Sequence, residues 1–209
     1  MCPRTKEQND ALREKRKLQI IRAAADMLLE RGLAIEIRDV ALKAGLGYGT
    51  VYHYYKNKHE LLDDLLWHAF EAAKDAVEEE LSPGMKRGLA TNDKLERYCI
   101  RLLQLWLHDP SVFFLYKSVA ENGLSIPGGG RMPDQLSERF DAELYEPLVA
   151  AIRGSYEPSA IRDADHEANY VLGALIGCAG LHIHRHQMAM DVEGTIALLL
   201  AAFQPKEGA

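Results

Sequence analysis

Three side chains that can donate hydrogen bonds, Tyr52, His53 and Tyr54, stand in a row, and Lys58 follows shortly after. Phenols, an imidazole and an ammonium are groups that meet phosphate oxygens and base edges. The residues around them set a geometry for doing so. Ile37, Val40 and Ala41 fall on one helical face, which Ala44 continues. Gly45-Leu46-Gly47 then breaks the helix, because glycine tolerates the left-handed backbone of a tight turn. Tyr48 to about Tyr54 forms a second short helix. Together they outline a helix-turn-helix, whose second helix can enter a DNA major groove. Asn57 caps the next helix with Glu60 three residues on. Lys58 adds its charge beside that helix N-terminus, where backbone amides also favour phosphate.

A second set of possible ligands, His182, His184 and His186, lies near the C-terminus. On a helix only His182 and His186 share a face, at the i, i+4 spacing that zinc sites use. Arg185 sits between them and no glutamate-histidine motif accompanies them. A structural role beside the negative end of the helix competes with the metal reading and is preferred. No metal, no cofactor and no catalytic residue is therefore expected. An enzyme using His182 and His186 stands as the alternative, without a nucleophile motif or a phosphate loop.

The elements that must position these groups are helical. A first helix spans about Asp10 to Arg31, with Leu18, Ile21, Ala24 or Ala25, and Leu28 at helical spacing and Gly32 as its stop. Its Arg13, Lys15, Arg16 and Lys17 could follow a phosphate backbone or form a solvated face. The fourth helix, opened by Asn57, carries Leu61, Leu62, Leu65, Leu66, Ala69, Phe70, Ala73 and Val77 on a broad apolar face ending near Leu81. After a loop to Asn92 comes a fifth helix from about Asp93 to His108. Asp109-Pro110 reads as N-cap and first residue of a sixth, which runs to about Glu121. Residues 123–133 read as loop. A seventh helix, from about Asp134 to Arg153, contains Pro147, so a kink or break is expected there. The eighth runs from about Asp165 to Gln187 and the ninth from about Asp191 to Phe203. No strand is expected. The fold class is all-α: a three-helix helix-turn-helix head, residues 1–56, and a helical-bundle body, residues 57–209, with about nine helices.

Composition bounds the function. The 209 residues are 47% hydrophobic, enough for a sizeable core. The start of the chain lacks the apolar region of a signal peptide, and no run is long enough to span a bilayer. Cys2, Cys99 and Cys178 are odd in number and widely spaced, which fits a reducing, cytoplasmic setting with idle thiols. Net charge is -6, but residues 1–60 carry an excess of four positive charges and the rest an excess of ten negative. A basic head on an acidic body suits a DNA contact confined to the head.

At these residues the chain resembles the TetR/AcrR-type transcriptional regulators. The resemblance rests on Ile37-Arg38-Asp39-Val40-Ala41, Ala44-Gly45, Gly49-Thr50-Val51-Tyr52-His53-Tyr54-Tyr55 and Lys58-His59-Glu60-Leu61-Leu62, and covers about residues 18–62. It implies phosphate contacts from Thr50, Tyr52, Tyr54 and Lys58. Tyr48, Gly49 and His53 would face or adjoin base edges, with Tyr48 the candidate sequence reader. Core packing competes for Tyr52 and Tyr55; it is preferred for Tyr55 and phosphate contact for Tyr52. Two positions depart from the pattern. Gly47 replaces a Ser or Ala. Glu36 replaces a Thr or Ser and would repel the phosphate that a hydroxyl meets.

The resemblance also implies a homodimer through the last two helices. Gly173, Gly177 and Gly180 fall on one face of the eighth helix, and the ninth, with Leu198, is apolar nearly all round. A buried pair within one chain is the competing arrangement. A two-fold dimer would read a pseudo-palindromic double-stranded operator. The resemblance further implies a ligand cavity in the body, for which Trp67, Trp106, Phe113, Tyr145 and Tyr170 are candidates. The expected protein is a ligand-responsive, sequence-specific regulator, a repressor released by an unidentified small apolar or amphipathic effector, with no membrane partner. A helix-turn-helix adaptor that binds only protein is the remaining alternative.

Overall fold

The computed structural model describes residues 5–81, 91–122, 125–126, 130–131, 134–154, 163–185 and 190–202. Helix α1 (Lys6–Arg31) starts earlier than the apolar spacing suggests. Thr5 and Gln8 cap it reciprocally: the Thr5 hydroxyl accepts from the Gln8 amide and the Gln8 side chain from the Thr5 amide. Ile21, Ala24, Ala25 and Leu28 are buried, whereas Leu18 is exposed. The buried stripe of α1 begins only at Ile20, and the preceding turns project from the core. Gly32 (φ 62°) ends the helix in a backbone region that glycine enters without strain.

After a 3-10 turn (Gly32–Ala34) come α2 (Ile37–Lys43) and α3 (Tyr48–Tyr54). Gly45, at φ 65°, turns the chain between them, and Gly47 takes ordinary extended angles as the residue before α3. The Gln19 side chain donates to the Ala44 carbonyl at 2.7 Å, tying this turn to α1.

Helix α4 (Lys58–Leu81) buries every apolar residue of its expected face, and Ala76 besides. At about 1.5 Å per residue it runs some 36 Å, so one rigid element starts at the head and crosses the body. It packs on α5 (Thr91–His108) and α6 (Pro110–Asn122). Asp109 caps α6 as its sequence suggests, taking the Ser111 amide at 3.0 Å and the Ser111 hydroxyl at 2.6 Å on one oxygen.

The segment expected as pure loop before the seventh helix holds a minimal antiparallel pair, β1 (Ser125–Ile126) with β2 (Gly130–Arg131). Two-residue strands carry no alternation to detect, and the architecture remains all-helical. The expected break at Pro147 takes the form of a π-turn. Helix α7 (Asp134–Phe140) passes through Asp141–Tyr145 into α8 (Glu146–Gly154), and the Glu146 amide reaches back five residues to the Asp141 carbonyl. Pro147 has no N–H to donate, so the widened turn just before it absorbs the lost helical bond without ending the helix. Helices α9 (Ala164–Arg185) and α10 (Val192–Ala201) complete the body. Asp191 caps α10 through the Gly194 amide at 3.0 Å. One hydrophobic core runs from Ile20 in α1 to Ile196 in α10, so head and body share it.

Candidate nucleic-acid interface

Helix α3 is rooted by two residues and presents the rest. Val51 and Tyr55 are buried, which leaves Tyr48, Gly49, Thr50, Tyr52 and His53 exposed and Tyr54 half-buried. Tyr55 therefore packs in the core, as preferred for it, and Tyr52 faces outward. Tyr48, 54% exposed, stacks on Tyr52 with ring centroids 5.7 Å apart. The Lys56 ammonium lies over the Tyr52 ring at 5.1 Å and donates to the Tyr52 carbonyl at 3.2 Å. The outer face of α3 is thus an aromatic platform with a cation beside it. A Cβ at Gly49 would meet nothing within 4 Å, so the backbone of α3 is open to close approach there.

The cap of α4 is fully assembled. Asn57 Oδ1 accepts the Glu60 amide at 3.0 Å, its Nδ2 donates back to Glu60 at 3.0 Å, and Glu60 also accepts the Lys56 amide at 2.8 Å. These bonds hold Lys58 in the first turn of α4, half-buried, where it joins Ile35, Glu36, Ile37, Arg38 and Tyr48 around an open cleft of about 610 Å³.

Glu36 is less of an obstacle in the structure than in the sequence. Its carboxylate is engaged by Arg38 at 2.7 Å, and its own amide donates to Asp39 at 3.0 Å. The guanidinium offsets the charge that would repel a phosphate, and the Glu36 hydrogen bond raises the Arg38 pKa further. Arg38 itself, exposed beside Tyr48, has no role that the sequence pattern alone assigns. Its signal was its place in the first turn of α2, which faces the same cleft.

The basic cluster of α1 divides. Arg13 and Lys15 are exposed, whereas Lys17 is drawn to Asp64 of α4 at 3.0 Å and acts as a strut.

The other candidates scatter. Trp106 and Phe113 meet in the core, centroids 5.8 Å apart. Trp67 lies half-buried elsewhere on α4, edge-on to Phe70, under the Arg139 guanidinium. Arg139 also pairs with Glu143, which Lys74 of α4 holds at 2.8 Å, and these two cations bring the Glu143 carboxyl down to about 2. Tyr145 donates to the Asp165 carbonyl at 3.1 Å and accepts from Asn169 at 2.9 Å, joining the π-turn to α9. Tyr170 stands exposed against His166. Gly173 and Gly177 open outward, but Gly180 lies against the Phe113 ring, 3.6 Å from where its Cβ would be. Leu198 is exposed. His182 is half-buried, and His186 lies outside the described residues. No group of three metal-ligating side chains occurs among the described residues, and none of their helices is long and apolar enough to cross a membrane.

Comparison with known proteins converges on one family. The model of bacterial regulatory proteins, tetR family, matches residues 20–65, which hold the turn, α3 and the cap of α4. The HTH-type transcriptional repressor KstR2 of Mycobacterium tuberculosis is 36% identical over 74 residues, covering 32% of this chain; the match spans only 36% of that repressor. The structure of the transcriptional regulator FadR from Bacillus subtilis, in complex with stearoyl-CoA, superposes with a TM-score of 0.60 at 19% identity, over 88% of this chain and 95% of that one. The HTH-type transcriptional regulator YhgD of Bacillus subtilis is 31% identical over 153 residues, 73% of this chain and 75% of its own length. A match of that length runs past the head into the body, and with it the chain belongs to the TetR family of bacterial regulatory proteins.

Proposed function

We propose that the protein is a homodimeric repressor that binds a pseudo-palindromic operator and leaves it when a small, mainly apolar molecule enters the body. The observation that carries the DNA part is the outward face of α3. Tyr48 and Tyr52 stack and project while Val51 and Tyr55 hold the helix down, and Arg38 and Lys58 flank the same cleft. Phosphate contacts from Thr50, Tyr52, Tyr54 and Lys58 set the register, and Tyr48 reads bases with Gly49 and His53 beside it. Residues 1–56 serve as reader and residues 57–209 as sensor and dimer body.

Coupling runs through α4. Its N-terminus is welded to the end of α3 by Asn57, Glu60 and the Tyr55–Asp64 bond, and its length crosses the body. An effector that favours one placement of α4 changes the spacing of the two heads, provided its affinity differs between the two placements. The stearoyl-CoA bound by FadR supports an apolar effector for a body of this fold. A cytoplasmic setting follows for a DNA-binding protein of this family.

The test is selection of bound sequences from random and upstream DNA, followed by titration with fractionated cell extract. Sequence-selective, salt-dependent binding relieved by an extract fraction is expected. Binding without sequence preference would point to the adaptor, and stoichiometric zinc in the purified protein would revive the enzyme.

A further inference from the structure

The middle of the body buries polar atoms that the described residues leave unmatched. Tyr98 and Trp106 of α5 and Phe113 and Tyr116 of α6 are all buried. The Trp106 ring sits 5.8 Å from Phe113 and 4.9 Å from Tyr116, and Tyr116 meets Phe140 of α7 edge-on at 5.3 Å. The Trp106 indole N–H, wholly buried, has no acceptor among the described residues. The Tyr98 and Tyr116 hydroxyls face each other at 3.4 Å, a long separation for two hydroxyls. One donates to the other, so the second keeps a proton with no acceptor among the described residues.

Native interiors rarely retain such groups, because each forfeits its bond to water and gains nothing in return. This cluster therefore has an excess of donors and a deficit of acceptors. It is also uncharged: burial pushes the Tyr116 phenol and the neighbouring Cys99 thiol up to about 12, and raises Tyr98 well above its usual value, so all stay protonated. No cation or anion stands among these residues to receive a charged ligand.

We infer that the Trp106 indole N–H, within the Tyr98–Phe113–Tyr116–Phe140 cluster, is the polar anchor of the effector site. The effector it takes is a largely apolar molecule bearing an uncharged hydrogen-bond acceptor, such as the carbonyl of a ketone, ester or thioester. The inference rests on the ligand-responsive reading above and names the chemistry of its site. The acceptor takes the indole proton, and a second lone pair is available to the spare tyrosine hydroxyl. A carboxylate or ammonium would lose its hydration for neutral partners only.

Three probes of one shape separate these cases: 1-tetralone, tetralin and 1,2,3,4-tetrahydro-2-naphthoate, titrated into the full chain by calorimetry. The ketone is expected to bind saturably and about tenfold more tightly than the hydrocarbon, with the carboxylate weakest. In Trp106→Phe the ketone's advantage over tetralin should fall to within about twofold, a ratio that general loosening of the core does not change. If that variant does not fold, benzothienylalanine at position 106 keeps the ring shape and removes only the N–H. No saturable ketone binding, equal ketone and hydrocarbon affinities, a preference for the carboxylate, or an advantage that survives loss of the N–H would each overturn the inference. Operator release by cell extract, measured in parallel, keeps the two proposals apart. Release that is unchanged without the N–H sinks this site and leaves ligand response standing. Ketone binding at Trp106 with no release by any fraction sinks ligand response instead.

Discussion

The Tyr55 hydroxyl donates to Oδ2 of Asp64 at 2.5 Å, and the same oxygen receives the Lys17 ammonium at 3.0 Å. The end of α3, the second turn of α4 and the middle of α1 are joined at this one carboxylate. Burial, and then the bond to Asp64, drive the phenol well above its usual value, so it remains a donor. Tyr55→Phe keeps the buried ring and deletes the bond. The expected loss is about 1 kcal/mol, since Asp64 retains Lys17 and some solvent. It should appear as a lower urea midpoint with an unchanged slope. Operator affinity should fall as well, because α3 loses one of its ties to α4.

Lys58 and Tyr48 share a cleft but differ in what they contribute. An ammonium on a phosphate displaces one counterion whatever the sequence. Lys58→Ala should therefore weaken binding to specific and non-specific DNA alike and reduce the log–log salt slope by about one. Tyr48→Ala should instead leave the slope alone and narrow the gap between operator and random DNA. Anisotropy titrations between about 50 and 200 mM salt measure both quantities. An unchanged slope in Lys58→Ala would count against the phosphate role.

The head was legible in the sequence because local rules govern it. Gly45 needs its positive φ, Asn57 and Glu60 cap each other within four residues, and the α4 leucines recur on one face. The Thr5–Gln8 box is equally local, but it lies ahead of the first apolar residue, where no hydrophobic spacing marks a helix. What could not be read depends on distant partners. Glu36 looked repulsive because its compensation by Arg38 is a matter of rotamer, not of spacing. The five aromatic pocket candidates look alike in sequence, yet Trp106 is buried with an idle N–H, Trp67 lies under Arg139 and Tyr170 is exposed. Likewise Gly180 shares its helical face with Gly173 and Gly177 but meets Phe113, because α6 crosses α9 at that end.

Asp109 makes stability sensitive to acid. Burial alone would raise its pKa, but hydrogen bonds from His68, from the Ser111 hydroxyl and from the Ser111 amide outweigh that and hold it at about 2. The folded value lies below the unfolded one, so this stabilisation is complete above about pH 4 and is lost as pH falls through 2. The loss should reach about 2 kcal/mol. Asp109→Asn should flatten this limb of the stability–pH curve while lowering stability at pH 7. Urea unfolding from about pH 2 to 7 reads it directly. A wild-type curve as flat as the variant's would show that the cap does not carry the effect.

The proposed dimer can be tested without disturbing the chain's own packing. Leu198 on α10 is 78% exposed, and on α9 Leu181 is 59% exposed one turn past the outward-opening Gly177. In a single chain these leucines gain little, whereas burying each against a partner is worth about 1.5–3 kcal/mol. Leu198→Glu places a charge on the exposed face of α10, and a two-fold dimer through that face would carry it twice. The variant should keep its helical circular dichroism and sediment as a monomer at concentrations where the wild type is a dimer. It should bind an isolated half-site with near wild-type affinity but lose most of its preference for the paired site. Since the side chain is exposed within the chain, helicity should not fall. An intact dimer would place the interface on another face.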